Sequence, residues 1–292
     1  MSALRGRRPK PSAPLGVFDS GLGGLTVVRA IREVSPAEDI VYLGDNARVP
    51  YGTRSPDTVM RYALTCAREL AQRGVKAIVV ACNTVSSVAL EMLRAELDLP
   101  VSGVIVPGAR AAAAAAGEAP VGVLGTAGTI ASGAYTRAVA AHSSRSEVIG
   151  QPAPLLVALA EEGWTEGEVP RLVVRRYLEP FFGPERGTAF PRDARVGCVV
   201  LGCTHFPLFR HVIETELVDL GGRGIPVVDS ALETAADVRR FLAARGLENP
   251  QATGRLHVLA TDMPTSFASV ASRFLGDALE AVEPVDLKPD GG

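Results

Sequence analysis

The chain has 292 residues, 47% of them apolar, four cysteines and a net charge of −2. Such a length suggests about two domains of roughly 150 residues, and the near-neutral balance argues against a dedicated nucleic-acid surface. No apolar run reaches the length of a membrane span, and four cysteines without a close-spaced framework fit a reducing cytoplasm better than a disulfide scaffold.

The opening "MSALRGRRPKPSAP" is basic and Pro-rich. It lacks the apolar segment of a signal peptide, so residues 1–11 read as a disordered tail. Beyond it, strand-like and helix-like segments alternate. "LGVFDS" (15–20) predicts a buried strand, "LTVVRAIREVS" (25–35) a helix and "DIVYLGD" (39–45) a strand. "SPDTVMRYALTCARELAQRG" (55–74) predicts a helix with Ser55 as N-cap, Pro56 at the first helical position and Gly74 as stop. "KAIVVAC" is again strand-like and "SSVALEMLRAEL" helical.

Near "LPVSGVIVPGA" (99–109) the pattern starts again, followed by the alanine-rich helix "ARAAAAAAG". Next come a strand at 121–125, a helix from about Ile130, and helices over 153–163 and 169–182. "VGCVVLGC" (196–203) predicts a strand that leads into a further helix, and a strand at 225–230 precedes a helix at 231–246. A last strand at 255–262 is expected to close a sheet edge. β-Branched strands alternating with helices of this length indicate α/β architecture with mostly parallel sheets flanked by helices. "VVACNT" and "VVLGCTH" align on their cysteines, and "VFDSGLGGLTV" aligns loosely with "VGVLGTAGTI". The expected form is two similar lobes facing each other, with the active site in the cleft between them.

Ligands in open α/β sheets sit beyond the carboxyl ends of strands. Those ends carry Asp19-Ser20, Cys82-Asn83-Thr84, Thr126 to Thr129, Cys203-Thr204-His205 and Asp229-Ser230, with Asp45 and the loop 48–54 after another strand. Each lobe contributes one thiol. Two thiols on opposite walls suit inversion at carbon: a thiolate removes a proton from one face while the opposing thiol donates to the other, and the roles exchange in reverse. Helix N-termini after Cys82 and Cys203 are expected to lower their pKa values. Asp19 and His205 are candidates to exchange protons with the thiols or to hold the ammonium. Asn83, Thr84, Thr126, Thr129 and Thr204 offer hydrogen bonds to a carboxylate without adding a rival base.

"FDSGLGGLTV", "PYG", "ACNT", "LGCTHFPL" and "VDSALETA" resemble, in this order, the motifs of the glutamate racemases in the aspartate/glutamate racemase superfamily, over about 15–245. The resemblance implies a cofactor-independent isomerase interconverting L- and D-glutamate in the cytoplasm, supplying D-glutamate for peptidoglycan and so for cell-wall biogenesis and cell shape. It puts the catalytic pair on Cys82 and Cys203, with Asp19 and His205 assisting. Substrate contacts fall on Asp19, Ser20, Tyr51, Gly52, Asn83, Thr84, Thr204 and His205, Tyr51 and Gly52 presenting backbone to the distal carboxylate. It also implies a first lobe of 12–106 plus 226–285, a second lobe of 107–225, no metal and a homodimer. Gln151 stands where relatives often carry a cysteine, and Glu161 is expected near His205.

Other readings compete. Aspartate racemase, or another carbon-acid isomerase with the same thiol pair, is the nearest enzyme alternative; a binding module that keeps the site without turnover is the non-enzyme one, with no need of two thiols. A zinc site on "CTH" lacks a second close ligand pair, and a cysteine protease leaves one thiol unexplained. Gly21 and Gly23 with Asp45 imitate a dinucleotide fingerprint, but Thr26 occupies the third glycine position and Asp19 sets charge beside a pyrophosphate. Cys66 and Cys198 read as buried hydrophobes, and His142, His211 and His257 as surface or packing residues.

Overall fold

A computed structural model describes residues 9–143, 146–183, 195–221, 224–263, 267–279 and 281–287. Most of the tail expected to be disordered, residues 1–8, lies outside them. The chain divides into two compact units, Met1–Val104 with Ala231–Gly292 and Ile105–Ser230.

The first unit opens with β1 (Leu15–Asp19), α1 (Leu25–Val34), β2 (Ile40–Gly44), α2 (Pro56–Gln72), β3 (Ala77–Val80), α3 (Asn83–Val88), α4 (Leu90–Glu96) and β4 (Val101–Gly103). The second holds α5 (Ile105–Ala116), β5 (Val121–Gly125), α6 (Ala127–Ala131), α7 (Ala134–Ala140), β6 (Val148–Pro152), α8 (Pro154–Glu162), α9 (Glu168–Leu178), β7 (Cys198–Gly202), α10 (Arg210–Asp219) and β8 (Val227–Asp229). The chain returns to the first unit through α11 (Ser230–Arg245), β9 (Leu256–Ala260), α12 (Phe267–Leu275) and β10 (Val282–Pro284).

Both sheets are parallel. Their orders are β10-β9-β2-β1-β3-β4 and β6-β5-β7-β8. The segment β2-β1-β3-β4 therefore has the same order as β6-β5-β7-β8, and the repeat glimpsed in the sequence is a repeat of topology. Every residue of β1, β3, β5 and β7 is buried, as strands covered by helices on both faces must be. The alanine run works as expected of a helix packed closely on a sheet. Ala109 and Ala112 have no exposure, and a Cβ at Gly197, just before β7, would meet the Ala116 carbonyl at 2.6 Å.

Several boundaries move. The restart near 99–109 is the short β4 followed at once by α5, which begins at Ile105 with Pro107 in its tolerant first turn. The strand at 225–230 is β8, which pairs with β7, so the return to the first unit comes at Ala231 and not at 226. β9 does not close an edge; it lies between β2 and β10. α12 is not among the elements expected from the sequence, and the edge strands β6 and β10 carry too little apolar sequence to announce themselves: β6 is half-exposed along its length. The Ser55 cap holds, its Oγ accepting the Thr58 N–H at 3.4 Å.

The amino ends of the first sheet are tied by a buried ion pair. Lys76 and Glu38 are 0% and 4% exposed, with Nζ 2.5 Å from Oε2. Lys76 also donates to the Pro11 carbonyl at 2.7 Å and the Leu247 carbonyl at 2.8 Å, and Glu38 accepts the Asn249 N–H at 2.8 Å. Removing Lys76 strands the buried Glu38 carboxylate and two backbone carbonyls. Lys76→Ala should therefore cost about 3–5 kcal/mol in urea unfolding; a loss under about 1 kcal/mol would show that water replaces the ammonium.

Candidate active site

In the first unit, β1 lies between β2 and β3, so the connections leaving β1 (to β2) and β3 (to β4) diverge at their carboxyl ends and open a ligand position between them. β1 ends on Asp19, whose Oδ2 accepts the Gly24 N–H at 2.9 Å across the turn 20–24. Gly24 has to be glycine, since a Cβ there would lie 2.5 Å from the Asp19 Cβ. Just past β3, Cys82 takes an extended conformation (φ −66°, ψ 119°) as the N-cap of α3, and its carbonyl accepts the Ser86 N–H at 2.8 Å. Its thiol donates to the Ser20 hydroxyl at 3.6 Å. Asn83 and Thr84 follow as the first residues of α3, both buried.

The loop after β2 is organised by Asp45, which is fully buried. Its carboxylate accepts from the Tyr51 hydroxyl and from Thr261 Oγ1 at 3.0 Å, and pairs with Arg48 Nε at 2.7 Å. Arg48 in turn stacks 4.6 Å over the Tyr62 ring. The Tyr51 side chain is thus committed inward, which leaves backbone at Tyr51-Gly52 as the part open to recognition.

In the second unit, Thr126 caps α6, its Oγ1 accepting the Thr129 N–H at 3.2 Å, with the two hydroxyls 3.0 Å apart. β7 delivers Cys203, Thr204 and His205, each 6% exposed. His205 Nδ1 lies 3.7 Å from Cys203 Sγ and 3.4 Å from Thr204 Oγ1; Nε2 lies 3.1 Å from Glu161 Oε1, carried by α8. Burial pushes the imidazole down, but the hydrogen bonds and negative charges of Cys203 and Glu161 outweigh it and raise His205 to about 10. Cys203 is followed by the short 3-10 turn Phe206–Phe209 rather than directly by an α-helix, so a helix dipole serves it less than it serves Cys82.

The structure brings Asp19, Ser20 and Cys82 together at one strand switch, and Cys203, Thr204, His205 and Glu161 together at the equivalent place in the other sheet. The remaining two cysteines differ: burial pushes the Cys198 thiol up to about 12 and the Cys66 thiol well above its ordinary range. Sequence reasoning missed Tyr42, whose hydroxyl donates to the Gly21 carbonyl at 2.6 Å; the alternation of "IVYLG" marks it only as a core residue.

The Asp/Glu/Hydantoin racemase family model matches residues 23–238, and the chain belongs to that family. Among its relatives, the glutamate racemase of Geobacter metallireducens is 46% identical, covering 96% of this chain and 99% of that one. The crystal structure of Francisella tularensis glutamate racemase with D-glutamate is similar at a TM-score of 0.84, with 33% identity over 95% of this chain and 98% of that one. That of Thermus thermophilus glutamate racemase with β-chloro-D-alanine gives 0.80, with 42% identity over 95% and 98%. Among the described residues, no helix is long and apolar enough to cross a membrane.

His205 should hold its proton through neutral pH. A folded-state value raised above 6.5 contributes stability that is fully present below about 6.5 and is lost as pH rises through about 10. In Glu161→Gln the carboxylate's share disappears, so the imidazole midpoint followed by NMR should fall by about one unit or more. An unchanged midpoint would show that Glu161 does not set the charge of His205.

Proposed function

We propose that the chain interconverts L- and D-glutamate without a cofactor, using Cys82 and Cys203 as its two acid–base groups. One observation supports this above others: each sheet sets one thiol at the carboxyl end of the equivalent strand, β3 or β7, among small hydrogen-bonding residues. The close similarity to glutamate racemases over nearly the whole chain points to glutamate rather than aspartate.

The chemistry follows from the thiols. One thiolate takes the α-proton and the other thiol gives a proton to the opposite face of the carbanion, so the configuration inverts. Afterwards each sulfur holds the protonation state that the reverse reaction needs. Asp19 supports the Cys82 side. On the Cys203 side, His205, kept cationic by Cys203 and Glu161 together, stabilises a thiolate 3.7 Å from Nδ1. Ser20, Asn83, Thr84, Thr126, Thr129 and Thr204, with the Tyr51-Gly52 backbone, hold the carboxylates by neutral donors. Such a site binds the substrate's charges without competing for its α-proton. The reaction needs reduced thiols, as the cytoplasm keeps them, and its D-glutamate product fits peptidoglycan synthesis.

Cys82→Ala and Cys203→Ala should each lower racemisation of glutamate by about a thousandfold or more, in the range of lost general acid–base catalysis. Each should still remove a proton from one enantiomer, seen as elimination when the β-carbon bears chloride. Racemisation near the parent rate in either variant would overturn the two-thiol assignment, and turnover of aspartate but not glutamate would overturn the substrate.

A further inference from the structure

The turn from Ser20 to Gly24 contains three glycines and has few side chains with which to hold its own shape. It nevertheless carries Ser20, whose hydroxyl meets the Cys82 thiol, and it supplies the Gly24 N–H that orients Asp19. What holds this backbone comes from β2. Tyr42 is fully buried, and its hydroxyl donates to the Gly21 carbonyl at 2.6 Å. The same carbonyl is pressed against Gly44, where a Cβ would lie 2.6 Å from it. A Cβ at Gly24 would meet the Asp19 Cβ at 2.5 Å, the Tyr42 hydroxyl at 3.0 Å and the Ala81 Cβ at 3.1 Å. Asp19, Tyr42 and the residue before Cys82 thus converge on one point of the turn.

We infer that Tyr42 is a positioning residue for the Cys82 half of the reaction: its buried hydroxyl locks the turn that sets Ser20 and Asp19 against that thiol. This rests on the assignment of Cys82 as one of two bases. A buried carbonyl that loses its donor pays for desolvation without return, so the turn would shift to find another partner. The phenol is a dependable donor, because burial, followed by the negative charge of Asp19 and Cys82, pushes its pKa well above the ordinary range. Tyr42 reaches the chemistry through the turn. At saturating substrate its effect on turnover should therefore fall on proton transfers made by Cys82, whereas a weaker Ser20 contact to substrate would raise KM in both single-thiol forms.

The test uses single-thiol backgrounds of the full chain and the rate of chloride release, at saturating substrate, from each enantiomer of β-chloroglutamate. With Cys82 as the only thiol of the pair (Cys203→Ser), adding Tyr42→Phe should slow chloride release about tenfold, the equivalent of about 1.4 kcal/mol. With Cys203 as the only one (Cys82→Ser), the same change should slow it less than about twofold. Gly24→Ala, which keeps the phenol but displaces the turn by crowding Asp19 and the Tyr42 hydroxyl, should give the same asymmetry. Equal losses in both backgrounds, as from general misfolding, or no loss with Cys82 alone, would overturn the role of Tyr42. Single-thiol parents that racemise at the full rate would instead refute the two-thiol reading on which it rests.

Discussion

A parallel strand covered on both faces can offer its chemistry only at its carboxyl end, and this constraint decides where every reactive group here lies. β1, β3, β5 and β7 are buried throughout, so the chain turns polar only as it leaves them. The shared order β2-β1-β3-β4 and β6-β5-β7-β8 puts the exits of β1 and β3, and of β5 and β7, side by side. Asp19 and Ser20 therefore meet Cys82 in one unit, and the Thr126 cap occupies the exit beside Cys203 in the other. The topology is enough to place one thiol per unit in an equivalent position.

Equivalent positions have unequal surroundings. Cys82 caps a helix and bonds to a serine hydroxyl, whereas Cys203 has a histidine that bonds to it and to a carboxylate. A racemase must treat mirror-image substrates, but it does so with a chiral protein, and nothing requires its two halves to match residue by residue. Cys66 and Cys198 supply the contrast within the same chain. Burial pushes both thiols toward the neutral form, joined at Cys66 by the negative charge of Asp45.

The sequence made the α/β alternation, the Ser55 cap and both cysteine motifs legible, because each rests on local periodicity or on residue types at fixed offsets. The weak edge strands β6 and β10 were not legible, since half-exposed pairs lack a continuous apolar run. The crossing back at Ala231 is not legible locally, because the partner of β8 is a matter of tertiary pairing, which no local pattern encodes. Glu161 could be named from resemblance but its bond to His205 needs α8 and the end of β7 brought together in space. Tyr42 looked like any core aromatic; only the position of the Gly21 carbonyl gives its hydroxyl a meaning.

The central claim is that two monoprotic acids of opposite stereochemical sense serve one carbon. Racemisation begun from pure L-glutamate in deuterium oxide tests it most directly. At early times the D-glutamate formed should carry deuterium at the α-carbon while recovered L-glutamate keeps its protium, because the group that takes the proton is not the one that returns it. Deuterium entering recovered L-glutamate as fast as D-glutamate forms, or protium carried over into the product, would mean that a single base serves both faces and would contradict the account.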